Sequence, residues 1–485
     1  MISKNIFCLT GALLFAAASV INAETITVNT SSDVTDFGGA RTVSDLPGPD
    51  GLVSLAEAGI ASDNTPGVQT IAFNVPQADW QFQWLYPGRV VLRPFLGFRV
   101  FEPVIIDATT QTASTGDTNP DGGEVVVWGG EVYLNGDDST IRGFDNTSIN
   151  VTGSNCVAEA NTGTTNISVF NGNGNLIQDN VGGTIKIDRS NGNVIVGNTV
   201  QRVRILGFVS EFGTGPATNN RVGGPNPEDR NFITGYGTIN GEGLPGGTTV
   251  QLFDATGTVV ENNWIGTTPD GLAQGSLASV IGIGFEGECH DTDIRNNRIA
   301  GILGHGQGPH HAGQLFGWAI LVGGSGSDVN IVGNTIGLDA NGDPNLGSVW
   351  GIDVGDARFS TVSNIQIGGS LPGEGNVVAG HLLNGVTVGH NVPQVRISRT
   401  SIYENGWLGI DLIPDGFGYD VTPNDLLDTD AGGNGLQNFP TIATASRQGA
   451  AINVTGSLHS EPVSEYTLEF FGSPACDDSG FGEGH

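Results

Sequence analysis

Acidic, basic and imidazole side chains lie close together in one stretch of this sequence. Asp353, Asp356 and Arg358 fall within a few residues, and His381 and His390 follow. Removal of a proton next to a carboxylate needs a cation that neutralises the carboxylate and a base that accepts the proton. The two Asp residues could hold calcium, and Arg358, His381 or His390 could supply the base.

The same stretch also has a purely structural interpretation. Asp353 stands between Ile352 and Val354, which is the pattern of an ordinary strand residue that faces solvent. Tyr403 and Glu404 could join the acidic and basic groups only if the fold stacks their segment beside the first one. The composition of the stretch therefore indicates a candidate site without completing a catalytic signature.

A second candidate site is rich in histidine. Its members are His305, His310 and His311, in a Gly-rich loop, and Glu286, Glu288 and His290 in the segment before that loop. These side chains could act as acid, base or metal ligand if one face collects them. Their spacing matches no metal signature, so a polar surface loop is the alternative interpretation.

Two Asp-rich patterns predict calcium as a cofactor. One comprises Asp425, Asp428, Asp430 and Asn434, and the other comprises Asp339 and Asp343 in a Gly-containing turn. Alternating oxygen ligands suit calcium, which takes roughly six to eight of them. Neither pattern completes the EF-hand spacing, so a solvated turn is the alternative for each.

The charge of the chain excludes two classes of partner. The sequence carries 50 acidic against 18 basic residues, a formal net charge of −32. Nucleic acid and anionic membrane surfaces both attract proteins with a basic face. We therefore expect neither nucleic acid nor a membrane as a partner, and the stretch after residue 23 contains no run that could span a bilayer.

Short apolar runs, each ended by Gly or Asn, must position these side chains. The runs recur: Asn263-Trp264-Ile265-Gly266 matches Asn334-Thr335-Ile336-Gly337, and Gly223-Gly224 with Asn231 matches Gly368-Gly369 with Asn376. Such recurrence is typical of stacked coils, and stacked Asn side chains can hydrogen-bond along the stack. The pattern predicts a parallel β-helix in which Asn231 and Asn376, and separately Asn263 and Asn334, occupy equivalent corners.

One segment near the N-terminus resembles a known family. Val53-Ser54-Leu55-Ala56-Glu57-Ala58 resembles the CSLREA motif of bacterial secreted and surface proteins, with Val53 in place of Cys and Ala56 in place of Arg. Ile106–Gln111 and Gly435–Pro440 resemble later segments of the same proteins. The resemblance implies an all-β, right-handed parallel β-helix of the pectin-lyase-like type, located outside the cytoplasm. It implies no single activity, because members include enzymes and adhesins.

The chain divides into four predicted parts. Residues 1–23 read as a secretory signal peptide. Residues 24–122 form an N-terminal cap and first coils, with a helix near Val53–Ala61 that Ser54 and Glu57 close as a capping box. Residues 123–415 form the β-helix. Residues 416–485 form an exit loop and the start of a small, possibly truncated β domain, with antiparallel strands at Ala451–Gly456 and Tyr466–Phe471.

Two further features bear on stability and binding. Three cysteines follow the signal peptide, Cys156, Cys289 and Cys476, so at most one disulfide can form. Residues 74–123 interleave aromatic residues, among them Trp80 and Trp84, with Arg89, Arg93 and Arg99. These aromatic side chains could cap the open end of the helix, or they could stack on sugars beside an arginine that holds an acidic group.

These observations predict a secreted or cell-surface protein, and we expect a monomer. Its long face would bind a polysaccharide or another cell-surface glycan. The alternative is an enzyme that degrades an acidic polysaccharide: a lyase, an epimerase or a hydrolase.

Overall fold

Short β-branched runs, each followed by a tight corner, stack this chain into coils. The computed structural model describes residues 23–210, 213–239, 245–276, 278–306, 313–355, 360–414, 421–474 and 480–484. Successive coils pair in parallel and in register, as Ile71 with Ile106 and then with Ile141. The predicted parallel β-helix is therefore confirmed.

Three faces make up each coil. Face 1 consists of Thr25–Val28, Gln69–Phe73, Val104–Asp107, Thr140–Arg142, Val157–Glu159, Leu176–Gln178, Val194–Val196, Arg221–Gly223, Val259–Glu261, Glu288–Arg295, Ser325–Val332, Thr361–Ile367 and Val395–Ile397, with Ala217–Thr218 and Ala255–Thr256 alongside. Face 2 consists of Phe98–Val100, Glu131–Leu134, Ser148–Val151, Thr165–Phe170, Val181–Asp188, Thr199–Leu206, Thr248–Phe253, Ile281–Glu286, Trp318–Val322, Trp350–Val354, Val386–Val388 and Ile410–Leu412.

Face 3 begins with the paired strands Val90–Leu92 and Val125–Val127. After the first residues of Val181–Asp188 and Thr199–Leu206 it continues through Phe232–Ile233, Trp264–Ile265, Arg298–Ile299, Thr335–Ile336, Val377–Ala379 and Ser401–Tyr403. The described residues also form four antiparallel hairpins, at Phe208–Ser210 with Gly213–Gly215, Thr238–Ile239 with Pro245–Gly246, Gly304–His305 with Leu315–Phe316, and Thr441–Gln448 with Ala451–Ser457.

Aliphatic columns fill the space between the faces. On face 1 each strand contributes one inward residue to a column of Ile, Val and Ala that runs from Ile26 to Ile397. Face 2 contributes parallel columns, for example Ile283, Ile320 and Ile352, all fully buried. Burial of such side chains contributes roughly 1.5–3 kcal/mol each, so stability is distributed along the whole stack.

One corner carries a continuous chain of buried asparagines, which we call the Asn ladder. Its members are Asn161, Asn180, Asn198, Asn231, Asn263, Asn297, Asn334 and Asn376, all at most 2% exposed. Each Oδ1 accepts hydrogen bonds from the backbone N–H and the Nδ2 of the preceding member, as Asn297 does from Asn263 at 3.0 Å for both. The predicted equivalence of Asn231 with Asn376 and of Asn263 with Asn334 is confirmed, and all four share one corner.

The residue before most ladder positions adopts the left-handed backbone conformation that the corner requires. Asp179, Gly197, Asn262, Asn296 and Gly333 all have φ between 55° and 68°. Glycine and asparagine tolerate this region best, which explains why these types recur at the corners.

A helix closes the N-terminal end of the stack. It spans Leu55–Asn64; Ser54 Oγ accepts from the N–H of Glu57, and Glu57 Oε2 accepts from the N–H of Ser54. Gly59 allows close packing, because a Cβ there would lie 2.6 Å from the ring of Phe98 on the first strand of face 2. The predicted capping box is confirmed. The remaining helices are Thr109–Thr115 and the 3₁₀ turns Val43–Asp45, Gln77–Asp79, Pro227–Asp229 and Gly433–Leu436.

The C-terminal region differs in part from expectation. Ala451–Ser457 forms an antiparallel strand, but its partner is Thr441–Gln448, joined by a short turn at Gly449. The sequence predicts a strand at Tyr466–Phe471, but this segment forms no strand pairing in the structure. It packs instead along the end of the last coil, where Glu469 Oε2 accepts from the N–H of Arg399 at 2.8 Å.

Cys156 and Cys289 are buried and unpaired, and burial raises the pKa of each thiol to about 11. Cys476 and residues 1–22, which hold all but the last residue of the predicted signal peptide, lie outside the described residues. Among the described residues, none of the helices has the length and apolar character needed to cross a bilayer.

Candidate functional site

The outward side of face 2 carries a different residue on almost every coil. Alternation with the buried columns places one outward column along this face: Arg99, Tyr133, Asn150, Ser168, Lys186, Arg204, Gln251, Gly284, Leu321, Asp353, Thr387 and Asp411. We call the middle part, from Lys186 to Asp353, together with the neighbouring residues Arg202 and Glu286 on the same strands, the floor. Since stacked strands are spaced about 4.8 Å apart, the floor is roughly 24 Å long.

Two tryptophans lie beside the floor on adjacent coils. The indoles of Trp318 and Trp350 stack with centroids 4.8 Å apart and planes 10° apart. Trp318 Nε1 donates to Asp353 Oδ2 at 3.1 Å, which fixes the pair on the outward side. Ala319 and Gly351 follow them and are buried, so the strand turns its small residues inward and its large rings outward. Both indoles remain half-buried, with part of their apolar surface accessible.

Basic side chains occupy the other end of the floor. Arg202 Nη2 and Arg204 Nε both donate to Oε1 of Gln251, at 2.8 and 2.9 Å. Gln251 Nε2 in turn donates to Glu286 Oε1 at 2.9 Å. Burial and the neighbouring Arg204 lower the pKa of Arg202, and the Arg202 guanidinium lies 5.1 Å from the ring of Tyr236.

Four successive insertions border the floor at the corner between faces 3 and 2. They span residues 234–247, 266–280, 300–317 and 337–349, of which 240–244, 277 and 307–312 lie outside the described residues. The insertions contact one another. Gln274 Nε2 donates to the carbonyl of Leu303 at 2.6 Å, and the N–H of Gly301 donates to the carbonyl of Leu346 at 2.7 Å. We call them the loop wall. The loop wall therefore runs along one edge of the floor.

The predicted acid–base residues fall in several places. Asp353 lies on the floor. Asp356, Arg358 and His310 lie outside the described residues. His390 follows the strand Val386–Val388 at the opposite edge of face 2, where its Nε2 is 2.7 Å from Asn391 Nδ2.

His381 does not lie on the floor. It is 2% exposed, and its Nδ1 accepts from the N–H of Ser348 at 3.1 Å. Burial lowers the pKa of its imidazole to about 3, so the ring is neutral at physiological pH. A buried neutral ring cannot contact a polymer that lies on the floor, and we therefore assign His381 a structural role. The sequence pattern around His381 does not indicate that its side chain is buried.

The remaining predicted neighbours are spread over different faces. Tyr403 is on face 3, and Glu404 follows it with φ 54°. Glu286 ends a face 2 strand, and a corner at Gly287 separates it from His290 on face 1. His305 lies in the loop wall. The His-rich candidate is therefore divided among the described residues, and only Glu286 reaches the floor.

The first predicted calcium pattern comes together in part. Carboxylate oxygens of Asp425, Asp428 and Asp430 lie within 4.8 Å of one another. Burial and the two neighbouring carboxylates raise the pKa of Asp430. The Oδ1 of Asn434 is engaged in another contact, because it accepts from the N–H of Val395 at 3.0 Å.

The second calcium pattern is saturated by its own turn. Asp339 is 3% exposed, and its Oδ1 accepts from the backbone N–H groups of Asn341 and Asp343 at 2.8 and 3.0 Å. Its Oδ2 accepts from Asn345 Nδ2 at 3.1 Å, while the side chain of Asp343 is exposed. These two carboxylates do not converge among the described residues.

The N-terminal aromatic residues divide between packing and exposure. Trp80 packs against the core and donates from Nε1 to the carbonyl of Val75 at 2.9 Å. Arg93 lies over the rings of Phe82 and Trp128, and Arg99 over Tyr133. Trp84 is 80% exposed at this end of the stack and keeps the sugar-stacking alternative open.

Sequence reasoning missed Trp318, Trp350, Arg202, Arg204 and Gln251. Outward alternation in Thr199–Leu206 could have indicated the arginines, since Arg202 and Arg204 flank Val203. No local signal could have indicated the tryptophans as a pair, because 32 residues separate positions that the register places side by side.

Comparisons with known proteins find no sequence match but include two distant structural matches. No protein-family model matches the chain, and no characterised sequence matches it. Among solved structures, the Dettilon tailspike protein superposes with a TM-score of 0.36 at 11% identity, covering 81% of this chain and 73% of that one. PfbA, a surface adhesin of Streptococcus pneumoniae, superposes with a TM-score of 0.40 at 9% identity, covering 83% and 95%. The parallel β-helix itself rests on the strand pairing of this chain.

Proposed function

We propose that this chain is a secreted or surface β-helix protein that binds polysaccharide along the floor. The observation that carries the proposal is the stacked pair Trp318 and Trp350 beside Asp353. Flat aromatic rings present apolar area at little conformational cost, and a neighbouring carboxylate can accept hydrogen bonds from sugar hydroxyls. The loop wall and the length of the floor suit a linear polymer better than a small molecule. The relationship to CSLREA-type proteins, on which the location outside the cytoplasm depends, stays a prediction.

Binding is tested by titrating purified protein with oligosaccharides from neutral and acidic plant, algal and animal polysaccharides. We expect Trp350→Ala to weaken binding at least tenfold, because it removes one half of the indole pair. Trp84→Ala is the matched control, since Trp84 is exposed at the far end of the stack. If Trp84→Ala abolished binding while Trp350→Ala did not, the site would move to the N-terminal aromatic residues.

Cleavage of an acidic polysaccharide is the second candidate function. It is favoured by Asp353 and Glu286 lying on the same floor as Arg202 and Arg204. β-Elimination produces an unsaturated uronate that absorbs ultraviolet light, so the same oligosaccharides serve as an assay with calcium present. Loss of that signal in Asp353→Asn, with binding retained, would establish catalysis at the floor. Turnover that survives this substitution would place the chemistry elsewhere.

A further inference from the structure

Arg202 and Arg204 stand side by side, and no acidic residue in the described parts of the chain forms an ion pair with either. Neither guanidinium has a carboxylate within ion-pair distance among the described residues. Lys186, on the preceding coil, is paired with Asp188 at 2.7 Å, and Arg221 is paired with Glu261 at 2.5 Å. The chain holds 50 acidic residues against 18 basic ones. Glu286 is near enough to attract Arg202 but contacts Gln251 instead, so the lack of a carboxylate in direct contact with these two cations among the described residues does not come from a shortage of carboxylates.

The protein satisfies only a small part of the hydrogen-bonding capacity of the two arginines. Each guanidinium has five N–H donors, and each makes one hydrogen bond, to the same neutral oxygen of Gln251. Arg202 Nε is shielded from solvent and has no acceptor among the described residues. Partly dehydrated cations are costly unless an anion compensates them.

The surroundings hold the two guanidiniums in place. Gln251 is only 8% exposed, and its side chain is fixed at its other end by Glu286. The ring of Tyr236 lies against Arg202 on the side of the loop wall. The donors are thus positioned before any ligand arrives, which reduces the entropy lost on binding.

We propose that Arg202 and Arg204 form a subsite for one oxyanion of the bound glycan, either the carboxylate of an acidic sugar or a sulfate ester. Arginine favours such groups because its planar fork matches two oxygens at once. The inference rests on the proposed function and defines its ligand class. The subsite lies three coils from Trp318, or about 14 Å at a strand spacing of about 4.8 Å, so the ligand carries its anionic group at that distance from the sugar on the indoles.

The first experiment compares three ligands of equal length by calorimetry: an oligogalacturonate, its carboxyl-reduced counterpart, and a sulfated oligosaccharide. We expect the wild type to bind an anionic ligand at least tenfold more tightly than the reduced one. Arg202→Gln/Arg204→Gln should remove that preference and leave binding of the reduced ligand within about twofold. The preferred anionic ligand identifies the source of the oxyanion. An unchanged preference in the double variant would overturn the subsite.

Arg396→Gln is the control for net charge, because Arg396 is exposed on face 1. It should keep the full preference for the anionic ligand. If Trp350→Ala weakens both ligands while the double variant behaves as wild type, the proposed function stands and the oxyanion subsite falls.

A second measurement does not depend on glycan binding. Inorganic sulfate, compared with chloride at equal ionic strength, should raise the melting temperature of the wild type and of Arg396→Gln more than that of the double variant. An equal rise in all three proteins would reject the subsite even if no oligosaccharide bound, whereas a selective rise would support it while the proposed function failed.

Discussion

The Asn ladder and the floor run through the same coils and follow opposite rules. The ladder places the same residue at one corner of eight successive coils, buried and fully hydrogen-bonded. The floor places Lys, Arg, Gln, Gly, Leu and Asp in succession, and Nε of Arg202 is shielded there without an acceptor in the described part of the chain. Repetition of a column indicates that it stabilises the stack, and variation along a column indicates that it serves another purpose.

The largest loss of stability is expected from a substitution in the Asn ladder. Asn297→Ala should lower the free energy of unfolding by about 3 kcal/mol, because it leaves the buried backbone N–H of Asn263 without its acceptor and removes the hydrogen bonds that Asn297 makes to Val260 and Asn334. Urea denaturation followed by circular dichroism measures the change. Asn191→Ala is the control, since Asn191 belongs to an exposed Asn pair and should cost less than about 1 kcal/mol. Equal losses would mean that burial does not distinguish the ladder.

The acidic cluster beyond the last coil places three carboxylates of like charge close together. If Asp425, Asp428 and Asp430 hold calcium, then calcium at a hundred times its dissociation constant should stabilise the protein by about 2.7 kcal/mol. Chelator should lower the melting temperature and added calcium should restore it. Asp428→Asn should remove this response, whereas Asp343→Asn should retain it. Identical melting with and without chelator would leave the cluster as a solvated turn.

Burial of His381 should make the stability of the protein depend on pH. Its folded pKa of about 3 lies below the unfolded value of 6.5, so the unfolded state binds the extra proton and stability falls as pH decreases from 6.5. Between pH 7 and 5.5 this contributes a loss of about 1 kcal/mol. The wild type should therefore lose more stability over that interval than His381→Gln. His459→Gln, at an exposed position, should behave as wild type. A parallel decline in His381→Gln would show that the imidazole is not buried neutral.

The smallest effect on stability is expected at the floor. Arg202→Gln/Arg204→Gln should change the free energy of unfolding by less than about 1 kcal/mol, because relief of the burial and mutual repulsion of two cations offsets the loss of their hydrogen bonds to Gln251 Oε1. Urea denaturation without added anion measures it. A loss as large as that of Asn297→Ala would show that the floor supports the fold after all.

The fold was predictable from the sequence because its rules are local. Each corner is marked by Gly or Asn, and recurrence of Asn263 at Asn334 and of Asn231 at Asn376 reveals the stacking without knowledge of any single register. The capping box at Ser54 and Glu57 is likewise written within four residues. The prediction of a strand at Tyr466–Phe471 was wrong, because an alternating pattern forms a strand only when a sheet edge is available to pair with it.

The candidate site was predictable only where its residues are close in sequence. Asp353 was found because it alternates within one strand. The tryptophan pair and the Arg202–Arg204–Gln251–Glu286 connection depend on which coils become neighbours, and the insertions between coils hide that spacing. Burial of His381 depends on loops that pack around it, which is a tertiary effect that local pattern cannot report.

The ladder also separates two properties that most folds couple. Consecutive members are 18 residues apart between Asn180 and Asn198, but 42 residues apart between Asn334 and Asn376. Yet the backbone N–H to Oδ1 distance is 2.9 Å in both cases. Insertions in the loop wall can therefore differ in length while the hydrogen bond between consecutive ladder members stays the same. Descendants of such a gene can lengthen, shorten or exchange those loops at little thermodynamic cost, and so acquire new ligands while inheriting the same scaffold.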